Sequence, residues 1–125
     1  MKKIIYTTKA PEPIGPYSQA IFVNNMLFVS GQLGIDPQTG ELISGTIKEE
    51  TIQVLNNIKE ILHTAELNFS NVVKATIFIR NMEQFSEINE AYSLFFGESR
   101  PARETVEVSK LPKNGNIEIS VIAVQ

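Results

Sequence analysis

Two segments near the end of the chain alternate between apolar and polar residues, which is the pattern of a strand with two different faces. The first segment covers 99–108, and the polar side of the predicted strand carries Arg103, Thr105 and Glu107. The second covers 116–124, where Glu118 interrupts a row of isoleucine, valine and alanine. We therefore expect a guanidinium and a carboxylate on neighbouring, nearly apolar strands, and this pair is the first candidate for function.

The rest of the chain predicts the other elements of an α+β domain. They are a short strand at 2–6, a hairpin at 19–30 that turns at Asn24-Asn25, a helix at 46–66, a strand at 71–80 and a helix at 82–96. On the 71–80 strand, one face should carry Val73, Ala75, Ile77 and Ile79. The stripe of the second helix should consist of Met82, Phe85, Asn89, Tyr92 and Phe96.

This order of elements predicts a single mixed sheet with two helices on one face. The other face of the sheet would carry residues from three strands, namely Lys74, Thr76, Phe78, Arg103, Thr105, Glu107, Glu118, Ser120, Ile122 and Val124. Such a face is too apolar to be fully solvated and too polar for the core of a monomer, so we expect the protein to self-associate. The 125 residues fit a single domain, 1–125.

Composition and charge exclude several classes of function. The net charge of −3 and the pI near 5.2 provide no general attraction for nucleic acids or anionic membranes. Because cysteine is absent, the chain has no disulfide, thiol nucleophile or thiolate metal site. No apolar segment has the length of a membrane span or of a signal-peptide core, so we expect a cytosolic protein.

Arg103 and Glu118 each have a functional and a structural interpretation. The fork of N–H donors on Arg103 matches a carboxylate ligand, and a structural pair with Glu107 is the alternative. Glu118 lies between isoleucines, where a carboxylate is costly to bury unless it is paired or used. It would position or deprotonate a water, or else form an interface ion pair with Lys74 or Arg103.

The remaining candidate positions carry weaker signals. Asn89 interrupts the apolar stripe of the second helix, and Tyr17 is held by a stiff, proline-rich loop, but ordinary packing is the simpler explanation of both. Ser30-Gly31 at a strand end offers a hydroxyl and a backbone N–H, and the glycines that follow predict a loop with free N–H groups. The only histidine, His63, has no partner for a metal site or a catalytic triad.

Several motifs occur along the chain in a fixed order. They are Ala10-Pro-Glu-Pro-Ile-Gly-Pro-Tyr-Ser-Gln-Ala20, Phe28-Val-Ser-Gly-Gln32, Asp36-Pro-Gln-Thr-Gly40, Asn89-Glu-Ala-Tyr92 with Phe95-Phe96, Arg100-Pro-Ala-Arg-Glu-Thr-Val-Glu-Val108, and Leu111-Pro-Lys113 leading to Ile117-Glu-Ile119. Each motif is weak alone, but together they are highly specific. Through them the chain resembles, from end to end, the Rid family of reactive-intermediate imine deaminases, also called YjgF-type proteins.

The resemblance implies a chorismate-mutase-like α+β fold that assembles as a homotrimer, with an inner barrel of sheets and ligand clefts between subunits. It also implies the hydrolysis of 2-imino acids, such as 2-iminopropanoate and 2-iminobutanoate, to 2-oxo acids and ammonia. Such imines arise when pyridoxal-phosphate dehydratases release enamine intermediates. No metal or organic cofactor is implied.

By position, the resemblance assigns Arg103 to the substrate carboxylate and Glu118 to the attacking water. Tyr17 would stand beside them in the catalytic cleft. Further substrate contacts would come from Asn89, Ser30, Gly31 and the backbone of Thr105. Thr105 stands where many relatives carry a cysteine, so thiol-based reactivity is not expected. Hydrolysis is unaffected by this difference, because the assigned roles do not use a thiol.

Three other functions compete with imine hydrolysis. A module that binds small 2-oxo acids or docks on a partner protein would use the same Arg103 clamp. A ribonuclease or translation inhibitor, as family members have been described, would need a basic cluster, a histidine pair or an array of stacking aromatics, and the sequence has none of these. A chorismate-type isomerase would rest on fold analogy alone.

Overall fold

The computed structural model describes all residues, 1–125, and contains six strands and two α-helices. The strands are β1 (Lys3–Ile5), β2 (Ala20–Val23), β3 (Met26–Gln32), β4 (Val72–Ile79), β5 (Ala102–Glu107) and β6 (Ile117–Val124). The α-helices are α1 (Ile47–Thr64) and α2 (Phe85–Phe96). Three short 3₁₀ turns occupy Phe69–Asn71, Met82–Gln84 and Pro112–Asn114. Neither α-helix combines the length and hydrophobicity that a bilayer crossing requires.

The strands form one mixed sheet in the order β1-β2-β3-β6-β4-β5, which confirms the predicted single sheet with two helices. Only the β4–β5 pair is parallel, and α2 makes the crossover between these two strands. Because that crossover places β5 at the edge, β4 lies between β5 and β6. The expectation that Arg103 and Glu118 stand on neighbouring strands is therefore wrong.

The turn of the β2–β3 hairpin and the start of α1 lie where the sequence predicts them. Asn24 and Asn25 have φ values of 51° and 62°, the left-handed conformations that a tight hairpin turn requires and that asparagine tolerates. Thr46 caps α1 by accepting from the backbone N–H of Glu49, and the Glu49 carboxylate accepts in return from the backbone N–H of Thr46. Both features are local, so the local sequence is enough to predict them.

The core lies between the sheet and the two helices. The stripe of α1 is buried against the sheet through Val54, Leu55, Ile58, Ile61 and Leu62. The apolar face of β6 is buried as predicted, through Ile117, Ile119, Val121 and Ala123. On β4 the prediction is wrong at one position, because a register shift between Val72 and Lys74 buries Val72 and leaves Val73 exposed.

The second helix begins later than the sequence predicts. Residues 82–84 form a separate 3₁₀ turn, and α2 begins at Phe85. Its buried residues are Ile88, Ala91, Tyr92 and Phe96, so the predicted stripe is correct only at its last two apolar positions. Met82 and Phe85 are exposed, and Asn89 is half-buried beside the stripe rather than in it.

One face of the sheet has no cover within the protein. It presents an ion pair of 2.7 Å between Lys74 and Glu104, together with several apolar side chains. The apolar side chains are Phe28, Phe78, Val106, Ile122 and Val124. This mixture agrees with the composition that the sequence predicts for a self-associating face, although every residue that β5 contributes differs from those expected.

Candidate functional site

The strand register places Arg103 and Glu118 on opposite faces of the sheet. Arg103 pairs with Ala75, whose side chain is buried under the helices. Glu118 pairs with Phe78, which belongs to the uncovered face. Since paired residues share a face and successive residues alternate, Arg103 is directed to the helix side. The predicted placement of Arg103, Thr105 and Glu107 on the uncovered face is therefore wrong, because the parallel pairing with β4 fixes the opposite orientation.

The guanidinium of Arg103 lies against aromatic rings of α2. Its Cζ atom is 4.9 Å from the ring centre of Tyr92 and 5.6 Å from that of Phe85. The alternative pair with Glu107 is not formed, because the Glu107 carboxylate accepts a hydrogen bond of 2.8 Å from the backbone N–H of Met82. The ion pairs of the protein are Lys48–Glu90 and Lys74–Glu104, so Arg103 has no carboxylate partner.

Arg103 lines an open groove of about 330 Å³ between α2 and the start of β5. Among the residues that line the groove are Asn89, Tyr92, Arg100, Pro101 and Arg103. Burial raises the pKa of the Tyr92 phenol, and the positive charge of Arg103 acts in the opposite direction. Two buried hydroxyl oxygens on this side of the sheet have no hydrogen-bond partner, Tyr92 Oη and Thr105 Oγ1. The groove thus offers a free cation and an amide to an anionic ligand.

Glu118 lies in a second cleft, of about 340 Å³, at the uncovered face. The cleft is lined by Ile14, Tyr17, Ser30, Gly31, Pro112 and Glu118. No cation or hydrogen-bond donor contacts the half-buried Glu118 carboxylate, and burial raises its pKa above that of an ordinary glutamate. A carboxyl group with a raised pKa is a stronger base when ionised, which suits it to take a proton from water.

The backbone limits the space beside Glu118 at Gly31, and it holds the Ser30 and Tyr17 hydroxyl groups through hydrogen bonds. A Cβ atom at Gly31 would lie 2.5 Å from Glu118 Oε2, so only glycine leaves room for the carboxylate where it stands. The Ser30 hydroxyl donates to the backbone carbonyl of Ser18 at 2.6 Å, and the Tyr17 hydroxyl accepts from the backbone N–H of Ile14 at 3.2 Å. Tyr17 can still donate its own proton to a ligand, and Ser30 can still accept.

The structure therefore separates the predicted site residues into two groups. Tyr17, Ser30, Gly31 and Glu118 line one cleft, and Asn89 and Arg103 line the other groove. Thr105 lines neither and pairs with Ile77 in the sheet. In the loop after Gly31, the N–H groups of Asp36 and Gly40 bond to backbone carbonyls within the loop, so these two are not free to face a ligand.

Some residues of the two cavities carried no clear signal in the sequence. Tyr92, which lines the Arg103 groove, belongs to the predicted apolar stripe of the second helix, and such a stripe more often indicates core than site. Ile14 and Pro112 lie in loops, whose approach to Glu118 depends on the fold. His63 is exposed on α1. No three acidic, histidine or cysteine side chains are grouped as a metal ion would require.

Comparisons with known proteins agree with this architecture. The profile described as Endoribonuclease L-PSP matches residues 7–125. A RutC family protein of Pyrococcus horikoshii is 54% identical over 123 residues, which are 98% of each chain. A Bos taurus protein named 2-iminobutanoate/2-iminopropanoate deaminase is 50% identical over 125 residues, 100% of this chain and 91% of the relative. Among solved structures, E. coli TdcF with bound serine has a TM-score of 0.94 and 41% identity, with 98% of each chain covered.

The fold and its two cavities define a small α+β protein in which an unpaired cation and an unpaired carboxylate lie on opposite faces of one sheet. The chain belongs to the Endoribonuclease L-PSP family, which is the Rid or YjgF-type family that its motifs resemble. Relatives that are 44% to 50% identical carry the name of an imine deaminase. More similar relatives are named only as RutC family proteins.

Proposed function

We propose that this protein hydrolyses 2-imino acids to 2-oxo acids and ammonia. The observation that carries the proposal is the unpaired guanidinium of Arg103 in an open groove, which is suited to a carboxylate ligand. The deaminase names of its relatives support the same reaction, and TdcF with bound serine shows that a relative accommodates an α-amino acid. The reaction would take place in the cytosol, where we expect this protein.

The chemistry needs few groups from the protein. Arg103 would hold the substrate carboxylate and fix the imine carbon, which is electrophilic once its nitrogen is protonated. Glu118 would accept a proton from water as the water oxygen bonds to that carbon. Glu118 then returns that proton to the amino nitrogen, the carbon–nitrogen bond breaks with ammonia as the leaving group, and the hydroxyl proton passes back to the Glu118 carboxylate as the 2-oxo group forms. Arg103 would thus position the substrate, and Glu118 would be the one base that transfers protons.

The opposite orientation of Arg103 and Glu118 supports a site that is built from two copies. Within one copy, strand β4 separates β5 from β6 and the two side chains lie on different faces. We propose that the uncovered, partly apolar face packs against other copies in a homotrimer, so that the Glu118 cleft of one copy meets the Arg103 groove of the next. Tyr17 and Asn89 would line the completed site from its two sides.

A coupled assay tests the reaction. An amino-acid oxidase generates the imine in the presence of semicarbazide, and the wild-type protein should suppress semicarbazone formation and release ammonia without a protein partner. Arg103→Ala should abolish this effect, and Arg103→Lys should largely abolish it because an ammonium lacks the fork geometry. Arg80→Ala is the matched control, since Arg80 is exposed and lines neither cavity. Full activity of folded Arg103→Ala would refute the carboxylate clamp.

Complementation tests whether the site is shared. Arg103→Ala should be inactive and Glu118→Gln strongly impaired in turnover, whereas trimers assembled from an equal mixture should recover roughly a quarter of the wild-type activity, because one pairing in four restores both residues. If both residues served the same site within one copy, the mixture would show no such recovery. A protein that binds 2-oxo acids tightly but releases no ammonia would instead be a binding module.

A further inference from the structure

We propose that Tyr92 is a positioning residue, whose ring holds the guanidinium of Arg103 in the orientation that receives a carboxylate. The inference deepens the proposed function, because it concerns the group that would bind the substrate. Arg103 has a long, flexible side chain and lacks a carboxylate partner that would fix it. Something else must hold its orientation if the groove is to be ready for a ligand.

The rings of α2 provide that support. The face of Tyr92 lies 4.9 Å from Arg103 Cζ, and Phe85, two turns earlier on the helix, lies at 5.6 Å. An aromatic face attracts a guanidinium through its plane, which leaves the N–H groups at the edge free. A carboxylate partner would occupy those N–H groups instead. Stacking therefore orients the cation without consuming the donors that a substrate carboxylate needs.

Tyr92 is itself rigid, which makes it a suitable support. It is 8% exposed and stacks on Phe96 with a centroid distance of 4.3 Å and an interplanar angle of 20°. Phe96 in turn meets Phe69 edge to face at 4.9 Å. Ring packing is thus the main restraint on this side chain: its hydroxyl has no partner with full hydrogen-bond geometry, although the Arg103 guanidinium is near enough to oppose the rise of the Tyr92 pKa through its charge and a side-chain hydrogen bond. The support of Arg103 thus extends into the aromatic cluster between α2 and the 69–71 turn.

Three variants separate the contributions of the Tyr92 ring, the Tyr92 hydroxyl and the packing of the aromatic cluster. Tyr92→Leu removes the ring, Tyr92→Phe keeps it without the hydroxyl, and Phe69→Leu removes a ring of the same cluster that does not contact Arg103. Affinity for 2-oxobutanoate, measured by calorimetry, reports on the carboxylate clamp. The Arg103 Nε–H resonance in NMR spectra reports on stacking directly, since an aromatic face shifts it upfield.

We expect Tyr92→Leu to bind 2-oxobutanoate about tenfold more weakly, as the loss of a partly buried cation–π contact predicts. KM for the imine should rise by a similar factor while kcat changes little, and the upfield shift should disappear. Tyr92→Phe should restore both affinity and shift, and Phe69→Leu should retain both. Unchanged affinity in folded Tyr92→Leu would overturn the inference, as would equal losses in Tyr92→Phe or Phe69→Leu.

The NMR measurement keeps the inference separate from the proposed function. If the wild-type protein neither hydrolyses imines nor binds 2-oxobutanoate, the proposed function fails, but the Arg103 shift still tests the stacking. If Tyr92→Leu does not fold, the wild-type spectrum decides: an upfield Nε–H resonance that Tyr92→Phe retains supports the inference. An unshifted resonance in the wild-type protein overturns it.

Discussion

Gly31 lies so close to Glu118 that adding a single methyl group should move the carboxylate. In Gly31→Ala the new Cβ atom would lie 2.5 Å from Glu118 Oε2, 2.7 Å from Cδ and 3.0 Å from Cγ. Non-bonded carbon atoms favour separations of about 3.5 Å, so these atoms would overlap by up to about 1 Å. Because the obstructed atoms belong to the end of a side chain, Glu118 can relieve the overlap by rotating away from its present position.

The two consequences of that rotation differ greatly in size. A side chain forced from its preferred rotamer costs about 1 kcal/mol, so the free energy of unfolding should change little. A base displaced from the attacking water loses most of its effect, so kcat should fall about 100-fold or more. The change should therefore remove activity from a protein that remains folded.

Gly45→Ala is the matched control. The new Cβ atom there would lie 2.7 Å from Glu49 Oε1, so it also displaces a glutamate carboxylate, but at the start of α1 and outside both cavities. Loss of the cap should cost about 1 kcal/mol in the free energy of unfolding and leave kcat at the wild-type value. The semicarbazone assay and urea unfolding, run on both variants, give the comparison.

A double variant tests whether Gly31→Ala acts by displacing Glu118. If Gly31→Ala acts by displacing Glu118, then combining it with Glu118→Gln should lower kcat no further than Glu118→Gln alone. Additive losses would mean that Gly31 acts through some other contact. Wild-type kcat in Gly31→Ala would show that catalysis does not depend on the position of this carboxylate.

Three further predictions concern Glu118, Thr105 and Glu50. Burial raises the pKa of Glu118 in the folded protein, so its stabilising contribution is complete at low pH and is lost as pH rises through that pKa. Glu118→Gln should therefore unfold at a higher temperature than the wild type at pH 7 but not at about pH 4, and scanning calorimetry at both values checks this. Thr105→Val removes a buried hydroxyl without a partner and should raise the free energy of unfolding by about 1 kcal/mol in urea; a decrease would show that Oγ1 has a partner in the assembly. Glu50 is 4% exposed and accepts two hydrogen bonds of 2.8 Å from Asn116. Glu50→Ala should therefore lower the free energy of unfolding in urea by about 3 kcal/mol. A loss below about 1 kcal/mol would contradict that assignment.

Features set by short-range sequence could be predicted. The asparagine pair predicted the hairpin because few residues tolerate two left-handed positions, and Thr46 marked the start of α1 because its side chain satisfies a helix N–H. The alternation along β6 predicted its buried face because the residues at alternate positions on that face are all apolar. In each case the cause lies within a few residues of the effect.

The orientation of β5 could not be predicted, for the opposite reason. Alternation shows that a strand has two faces, but not which face the helices cover. We expected Arg103 on the uncovered face, yet the parallel register aligns Val106 with Phe78 on that face and directs Arg103 towards α2. Register is set by pairing with a distant strand, and a shift of one residue would reverse every side chain.

The opposite orientation of Arg103 and Glu118 is what allows each to remain available for chemistry. Neighbouring side chains on one face would have formed an ion pair, in which the carboxylate lowers its pKa and occupies the N–H groups of the guanidinium. On opposite faces the Glu118 carboxyl keeps a raised pKa and Arg103 keeps its donors free. In the proposed trimer, a substrate that carries its own carboxylate would lie between the two groups where a second copy brings them together. The neighbouring placement that the sequence suggested would have neutralised both groups before any substrate arrived.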